Sequence, residues 1–149
     1  MGLTSVLSKP YAALIVRQMS KWKKNSLATQ QKVFGKLISK AKDTAFGLDH
    51  HFAGIKTYQD FKKQVPIRDY EDFRPYIERV VHGEKNVIWP GKPAYFAKTS
   101  GTTSGVKYIP ISKESMPEHT KAARNALLCY IHETGKADFV DGKIIFLQG

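Results

Sequence analysis

The sequence predicts a mixed α/β fold in which a helical lead-in runs into the opening strands of a larger sheet domain. Three observations predict it. Apolar residues recur at helical spacing through the first ninety positions; past Pro90-Gly91 the pattern shortens to strand-like runs around a loop of glycines and hydroxyls; and Ile144-Ile145-Phe146-Leu147 form an unbroken apolar run. Such a run marks a strand covered on both faces.

In chain order, Leu7, Tyr11, Leu14, Ile15, Met19 and Trp22 share one face of a first helix. Ser26 or Thr29 opens a second, whose apolar face is Val33, Phe34, Leu37, Ile38, Ala41 and Ala45. Gly47 is placed to end it, because glycine accepts the left-handed conformation of a helix terminus. Thr57 with Asp60 forms a capping-box signal for a short helix that stops before Val65-Pro66. Asp69 with Asp72 marks another start, and Pro75 is expected to divide that segment, since it lacks an N–H and clashes with the preceding turn. Ile77, Val80 and Val81 then face a core before Gly83.

Ala94 to Lys98 and Tyr108 to Ile111 read as strands. Ser115 and Glu118 form a second capping box, with Pro117 in the first turn of a helix that carries Ala123, Leu127, Tyr130 and Ile131 and stops near Gly135. Residues 1–90 are thus a mainly helical lead-in, and residues 91–149 read strand, loop, strand, helix, strand. The last strand needs neighbours on both sides, and few candidates precede it. Residues 1–149 are therefore expected to be an incomplete N-terminal part of a larger domain with an unfinished sheet.

Composition narrows the function classes. Of 149 residues, 42% are apolar and 25% charged, as in ordinary globular proteins. No apolar run approaches the roughly 18 residues of a membrane helix, and the N-terminus has no export signal: its apolar run, Tyr11 to Val16, lies beyond Lys9 and leads into Arg17 and Lys21. Met1-Gly2 is followed by Val6 where a myristoylation signal has a hydroxyl. The single cysteine, Cys129, permits no internal disulfide and suits a reducing cytoplasm. A net charge of +11 admits nucleic acid, an anionic surface or a phosphorylated small molecule as partner. Lys32, Lys36 and Lys40 recur every four residues as one solvated helical stripe. The alternative, a basic nucleic-acid-binding module, rests on charge alone; no aromatic-interleaved basic motif or zinc-finger spacing supports it.

The chemistry concentrates in Thr99-Ser100-Gly101-Thr102-Thr103-Ser104-Gly105-Val106-Lys107, where five of nine residues carry hydroxyls, two are glycine and a lysine closes the run. Glycines let successive backbone N–H groups turn toward a ligand, forming an anion-binding concavity. The hydroxyls add short donors and Lys107 a mobile positive charge. Each hydrogen bond to a charged partner is worth about 1.5–3 kcal/mol, so three or four of them hold a polyphosphate. The bland alternative is a polar connection between two strands. The segment is not the common nucleoside-triphosphatase loop, which has four residues between its glycines and Lys followed directly by Ser or Thr. Here three residues separate Gly101 from Gly105, and Tyr108 follows the lysine.

The nonapeptide resembles the phosphate-loop signature of the acyl-adenylate-forming superfamily, which includes acyl-CoA synthetases and firefly luciferase. Val65-Pro66-Ile67-Arg68-Asp69-Tyr70-Glu71-Asp72-Phe73-Arg74-Pro75-Tyr76-Ile77-Glu78-Arg79 is similar to the helical lead-in of the auxin-responsive promoter family of acyl acid-amido synthetases, and Val81 to Pro93 and Ile109-Pro110 match the stretches flanking its loop. The resemblance spans essentially the whole chain and implies the first quarter to third of such an enzyme. It implies a two-step ligase reaction: ATP and a carboxylic acid give an acyl-adenylate and pyrophosphate, and an amino acid's amine then takes the acyl group and releases AMP. It also implies that Thr99, Ser100, Gly101, Thr102, Thr103, Ser104, Gly105 and Lys107 contact ATP phosphates with Mg2+ present, as positioning and charge-stabilising groups rather than acid or base. The acid pocket, the adenine and ribose contacts and the catalytic lysine are expected after Gly149. Plant members commonly have one more residue between the second glycine and the lysine.

Other residues carry less. Adjacent His50 and His51 point apart in most backbone conformations and have no carboxylate or cysteine at ligand spacing, so no metal site is expected. Cys129 and His132 share a helical face, but Cys129 sits among apolar residues, where a thiol packs. Asp69, Glu71 and Asp72 read as helix-start residues, and Trp22 and Trp89 as packing anchors.

Overall fold

A computed structural model describes residues 2–99 and 105–143. They form six α-helices, two short 3-10 turns and one pair of strands, divided into two compact units: residues 1–29 with 116–149, and residues 30–115. The expected strand at 144–147 lies outside the described residues, as do residues 100–104.

In the first unit, α1 (Leu3–Lys24) packs on α6 (Met116–Thr134) and on a 3-10 turn at Asp138–Asp141. The seam is Ala12, Ile15, Leu128, Ile131 and Ala137, flanked by Met19, Phe139 and Val140. This corrects the expected α1 face. Leu7, Tyr11 and Leu14 are exposed, and Trp22, read as a packing anchor, is 48% exposed. Apolar residues occupy two adjoining stripes of this helix, and the one bearing Ala12, at 0% exposure, is the one buried. On α6 the buried positions are Leu128 and Ile131, while Leu127 and Tyr130 stay exposed. The Cys129 thiol lies 3.9 Å from the Met19 sulfur, consistent with a packing role.

The N-terminus of α1 has no cap of its own. Asp141 supplies one: it accepts the Gly2 N–H at 2.6 Å and the Ser5 N–H at 3.1 Å. The Gly2 bond, with further bonds from Ser5, holds the Asp141 carboxyl below its ordinary range. An anion there complements the helix dipole, and Lys21, Lys23 and Lys24 complement the other end. At the end of α6, Gly135 takes φ +68° and returns its N–H to the Ile131 carbonyl, the stop its position predicts. The box expected of Ser115 and Glu118 is replaced by other bonds: the Ser115 hydroxyl donates to the Ser112 carbonyl (2.9 Å), and Glu118 lies 3.8 Å from Lys121.

The second unit holds most of α2 (Ser26–Ala41), then α3 (Ala45–Asp49), a 3-10 turn at Phe52–Gly54, α4 (Tyr58–Gln64), α5 (Tyr70–Val81), β1 (Tyr95–Lys98) and β2 (Tyr108–Ile111). Its core is Ile38, Ala41, Phe52 and Ile55, with Phe34, Phe46, Phe61, Val65 and Trp89 against it. Trp89 is thus the packing residue its sequence context predicts. Thr57 and Asp60 form the full capping box of α4, and Asp69 caps α5 by accepting the Asp72 N–H at 2.9 Å.

Three expectations fail here. Gly47 does not terminate α2; it is buried within α3, where an added Cβ would overlap the Ala41 carbonyl oxygen and stand 2.9 Å from that of Lys42. Glycine is required by close backbone approach, not by dihedral freedom. Nor does Pro75 divide its segment: α5 runs through it from Tyr70 to Val81. The bond it forfeits is to the carbonyl of Glu71, an exposed first-turn residue, while burial of Ile77 and Val80 and the Asp69 cap hold the rest. Val81, read as core, is exposed.

Glu114 ties α2 to the segment before the strands. It accepts from Lys40 at 2.7 Å and from the Trp89 indole at 3.1 Å, and the Lys40 ammonium lies over that indole. These bonds, that of Lys40 foremost, bring its carboxyl from 4.5 down to about 2. A depressed carboxylate stabilises the fold above its unfolded pKa, and that contribution is lost as pH falls from about 4.5 toward 2. Glu114→Gln is therefore expected to lower the urea midpoint at pH 7 and to leave it close to the parent's near pH 2. Equal deficits at both pH values would exclude this charge as the source.

Candidate functional site

β1 and β2 are antiparallel, in the register Tyr95↔Ile111, Phe96↔Pro110, Ala97↔Ile109 and Lys98↔Tyr108. Strand-forming aromatic and β-branched residues line both, and Phe96 meets Tyr108 edge-on at 6.1 Å between ring centres. The Thr99 N–H donates to the Lys107 carbonyl at 3.1 Å, one rung beyond the last strand pair. Thr99 and Lys107 thus continue the ladder by one backbone bond past the Lys98–Tyr108 pair.

The sequence-derived site residues fall as follows. Thr99 and Lys107 form the closing rung. Gly105 takes φ +77°, a conformation side chains rarely adopt, so the second glycine of the nonapeptide is there for backbone geometry. Ser100, Gly101, Thr102, Thr103 and Ser104 lie outside the described residues.

The Lys107 ammonium is 5.3 Å from the ring centre of Tyr70, and the Tyr70 hydroxyl oxygen accepts the Tyr108 N–H at 2.9 Å. Sequence reasoning missed Tyr70. The Asp69 cap signals that α5 starts there, but nothing in the pattern signals contact with a residue 38 positions later. A cavity of about 120 Å3 opens near the far end of β2, lined by Phe73, Ile77, Val80, Trp89, Pro110 and Ser112 among others. Its largely apolar wall suits no polyphosphate, whose charge needs donors around it.

Most of the remaining candidates have structural partners. His50, 3% exposed, stacks on Phe46 and places Nδ1 2.8 Å from the Phe46 carbonyl. Arg68 lies 2.8 Å from Nε2. Arginine only donates, so Nε2 accepts and Nδ1 carries the proton. His51 takes φ 52° and is exposed. Among the described residues no group of three metal-ligating side chains gathers. Asp69 and Asp72 act in the α5 cap, and Glu71 pairs with Arg74. Of the lysine stripe, Lys32, Lys36 and Lys40 are all exposed, and Lys40 is bound to Glu114. No helix among the described residues is long and apolar enough to cross a membrane.

Comparison with known proteins agrees with the family that the lead-in resembles. Residues 15–147 match the family model described as the GH3 family N-terminal domain. Among curated relatives, a probable indole-3-acetic acid-amido synthetase, GH3.1 of Arabidopsis thaliana, is 27% identical over 120 residues, covering 77% of this chain and 20% of that protein. The indole-3-acetic acid-amido synthetase GH3.15 of the same plant is 32% identical over 112 residues, 73% of this chain and 19% of its own length. A probable indole-3-acetic acid-amido synthetase from Oryza sativa subsp. japonica, GH3.13, reaches 39% over 62 residues, 40% of this chain and 13% of that protein. The chain thus spans a fifth or less of these relatives. With nearly all of its length matched by that domain, from the second half of α1 to past α6, the chain belongs to the GH3 family, the auxin-responsive group that its lead-in resembles.

Proposed function

We propose that this chain is the phosphate-binding opening portion of an ATP-dependent ligase that activates a carboxylic acid as an acyl-adenylate and joins it to an amino acid. The observation that carries the proposal is the nonapeptide Thr99–Lys107, closed at its base by the Thr99–Lys107 rung and bearing a positive-φ glycine at position 105. The amido synthetase names of the relatives support the reaction class.

In the first step a carboxylate oxygen attacks the α-phosphorus of ATP, and the bond to the bridging oxygen of pyrophosphate breaks. Negative charge builds on the departing pyrophosphate, where the loop's N–H groups, the Thr102 and Thr103 hydroxyls and the Lys107 ammonium offset it. Mg2+ would ride on the phosphate oxygens, since the loop offers hydroxyls and no carboxylate. In the second step the amine nitrogen of an amino acid attacks the acyl carbon, the acyl–oxygen bond to AMP breaks, and the amine loses a proton. The acid pocket, the adenine and ribose contacts and the catalytic lysine of such a ligase would come from outside the residues of this chain.

The test is acid-dependent exchange of labelled pyrophosphate into ATP by the intact protein. Thr102→Val and Lys107→Ala are each expected to lower exchange about thirtyfold, the scale of one charge-assisted hydrogen bond, while melting with the parent. Unchanged exchange in both variants would remove the loop from the reaction.

A further inference from the structure

The hairpin has an attachment that its role as a phosphate loop does not by itself require. Tyr70, the first residue of α5, belongs to neither strand, yet it engages two consecutive residues at the loop's base. Its oxygen accepts the Tyr108 N–H at 2.9 Å, and its ring stands 5.3 Å from the Lys107 ammonium. Both contacts fall beside the rung where Thr99 donates to the Lys107 carbonyl. The backbone that carries Tyr70 is itself fixed, because Asp69 caps α5 through the Asp72 N–H.

We infer that Tyr70 is a positioning residue, which rests the Lys107 ammonium on its ring at the foot of the phosphate loop and pins the strand that carries it. The inference depends on the phosphate-binding role proposed for residues 99–107. Lysine is a flexible four-carbon stem with a strongly hydrated charge, and free in solvent it samples many rotamers. The face of an aromatic ring attracts such a cation weakly at a partly exposed site. That attraction holds the side chain near one position beside the Thr99–Lys107 rung without competing against a phosphate, whose charge-assisted hydrogen bonds are stronger. The hydroxyl does a second job, holding the backbone of Tyr108 so that Lys107 leaves the ladder at a constant angle. Tyr70 touches no reacting atom and acts through Lys107.

The two contacts separate by substitution. Tyr70→Phe keeps the ring and removes the acceptor; Tyr70→Leu removes both. Each is made with Lys107 and with Lys107→Met, and the four variants are compared with the intact parent for equilibrium binding of ATP–Mg2+ and for the KM of ATP in pyrophosphate exchange. Tyr70→Phe is expected to weaken ATP about threefold, the scale of one neutral hydrogen bond. Tyr70→Leu should weaken it about tenfold, the added factor being the ring's attraction. KM for the acid should not move in either. The gap between the Leu and Phe variants should close when position 107 is Met. An equal gap in both backgrounds, or an unchanged ATP affinity in Tyr70→Leu, overturns the role of Tyr70. Should Tyr70→Leu fail to fold, Tyr70→Met replaces it. A parent that binds ATP without acid-dependent exchange loses the ligase reading, and the binding cycle alone then decides on Tyr70. If the parent binds no ATP, both proposals fall.

Discussion

Gly47→Ala is expected to cost at least about 3 kcal/mol of folding free energy, the upper range of overpacking in a closed site. The methyl group would overlap the Ala41 carbonyl oxygen and stand 2.9 Å from that of Lys42. Neither atom is the loose end of a side chain; both belong to the backbone that leaves α2 and turns into α3. Relief would require α3 to shift, and α3 is bound in place. Thr44 donates to the Ala41 carbonyl at 2.7 Å and accepts the Gly47 N–H at 3.1 Å, while the Ala45 and Phe46 N–H groups donate to the Asn86 and Val87 carbonyls. Moving the helix breaks these bonds and lifts Phe46 off Phe52, Phe73 and Tyr76. Urea unfolding of the intact protein measures the effect. A loss below about 1 kcal/mol would show that the α2–α3 connection yields more readily than its bonds indicate.

Ile131→Ala should act on the other unit with similar force, about 3–4 kcal/mol, within the range for deleting buried aliphatic carbon. Ile131 is 2% exposed and packs with Ala12, Ile15, Leu128 and Ala137. Two of these four neighbours are already alanine and cannot reach into the space vacated, so the cavity should persist. Leu127→Ala, one face away and exposed, is the control and should cost under about 1 kcal/mol. Denaturant midpoints of the two variants check the contrast. Comparable losses in both would place the seam between α1 and α6 on the wrong stripe of α6.

The elements most legible in the sequence are those fixed by near neighbours. Thr57 and Asp60, Asp69 and Asp72, and Gly135 each mark a helix end through atoms no more than four residues away, and all of them do so in the structure. The strand pair was readable for the same reason, as two runs of β-formers astride a turn-rich loop. Distant contacts were not readable. Leu7, Tyr11 and Leu14 have the helical spacing of a core face, but which stripe is buried depends on where α6 approaches, over a hundred residues later. Gly47 has the look of a terminator because the oxygens that exclude its side chain are invisible in a linear pattern. Pro75 obeys its local rule only where no burial opposes it, and Ile77 and Val80 oppose it. At the candidate site, the rung from Thr99 to Lys107 follows from the strands, whereas the contact of Tyr70 with Tyr108 joins a helix start to a strand start and has no local signature.

The carboxylate that closes the start of α1 belongs to Asp141, 139 residues away from Gly2. A ribosome therefore delivers the first helix long before the residues that seat it. At about 5–20 residues per second the wait is on the order of ten seconds. Throughout that interval Ala12, Ile15 and Met19 have no α6 to cover them, while residues 30–115 emerge complete and able to close on themselves. Assembly in the cell should run from residues 30–115 outward, with α1, though made before them, settling after them.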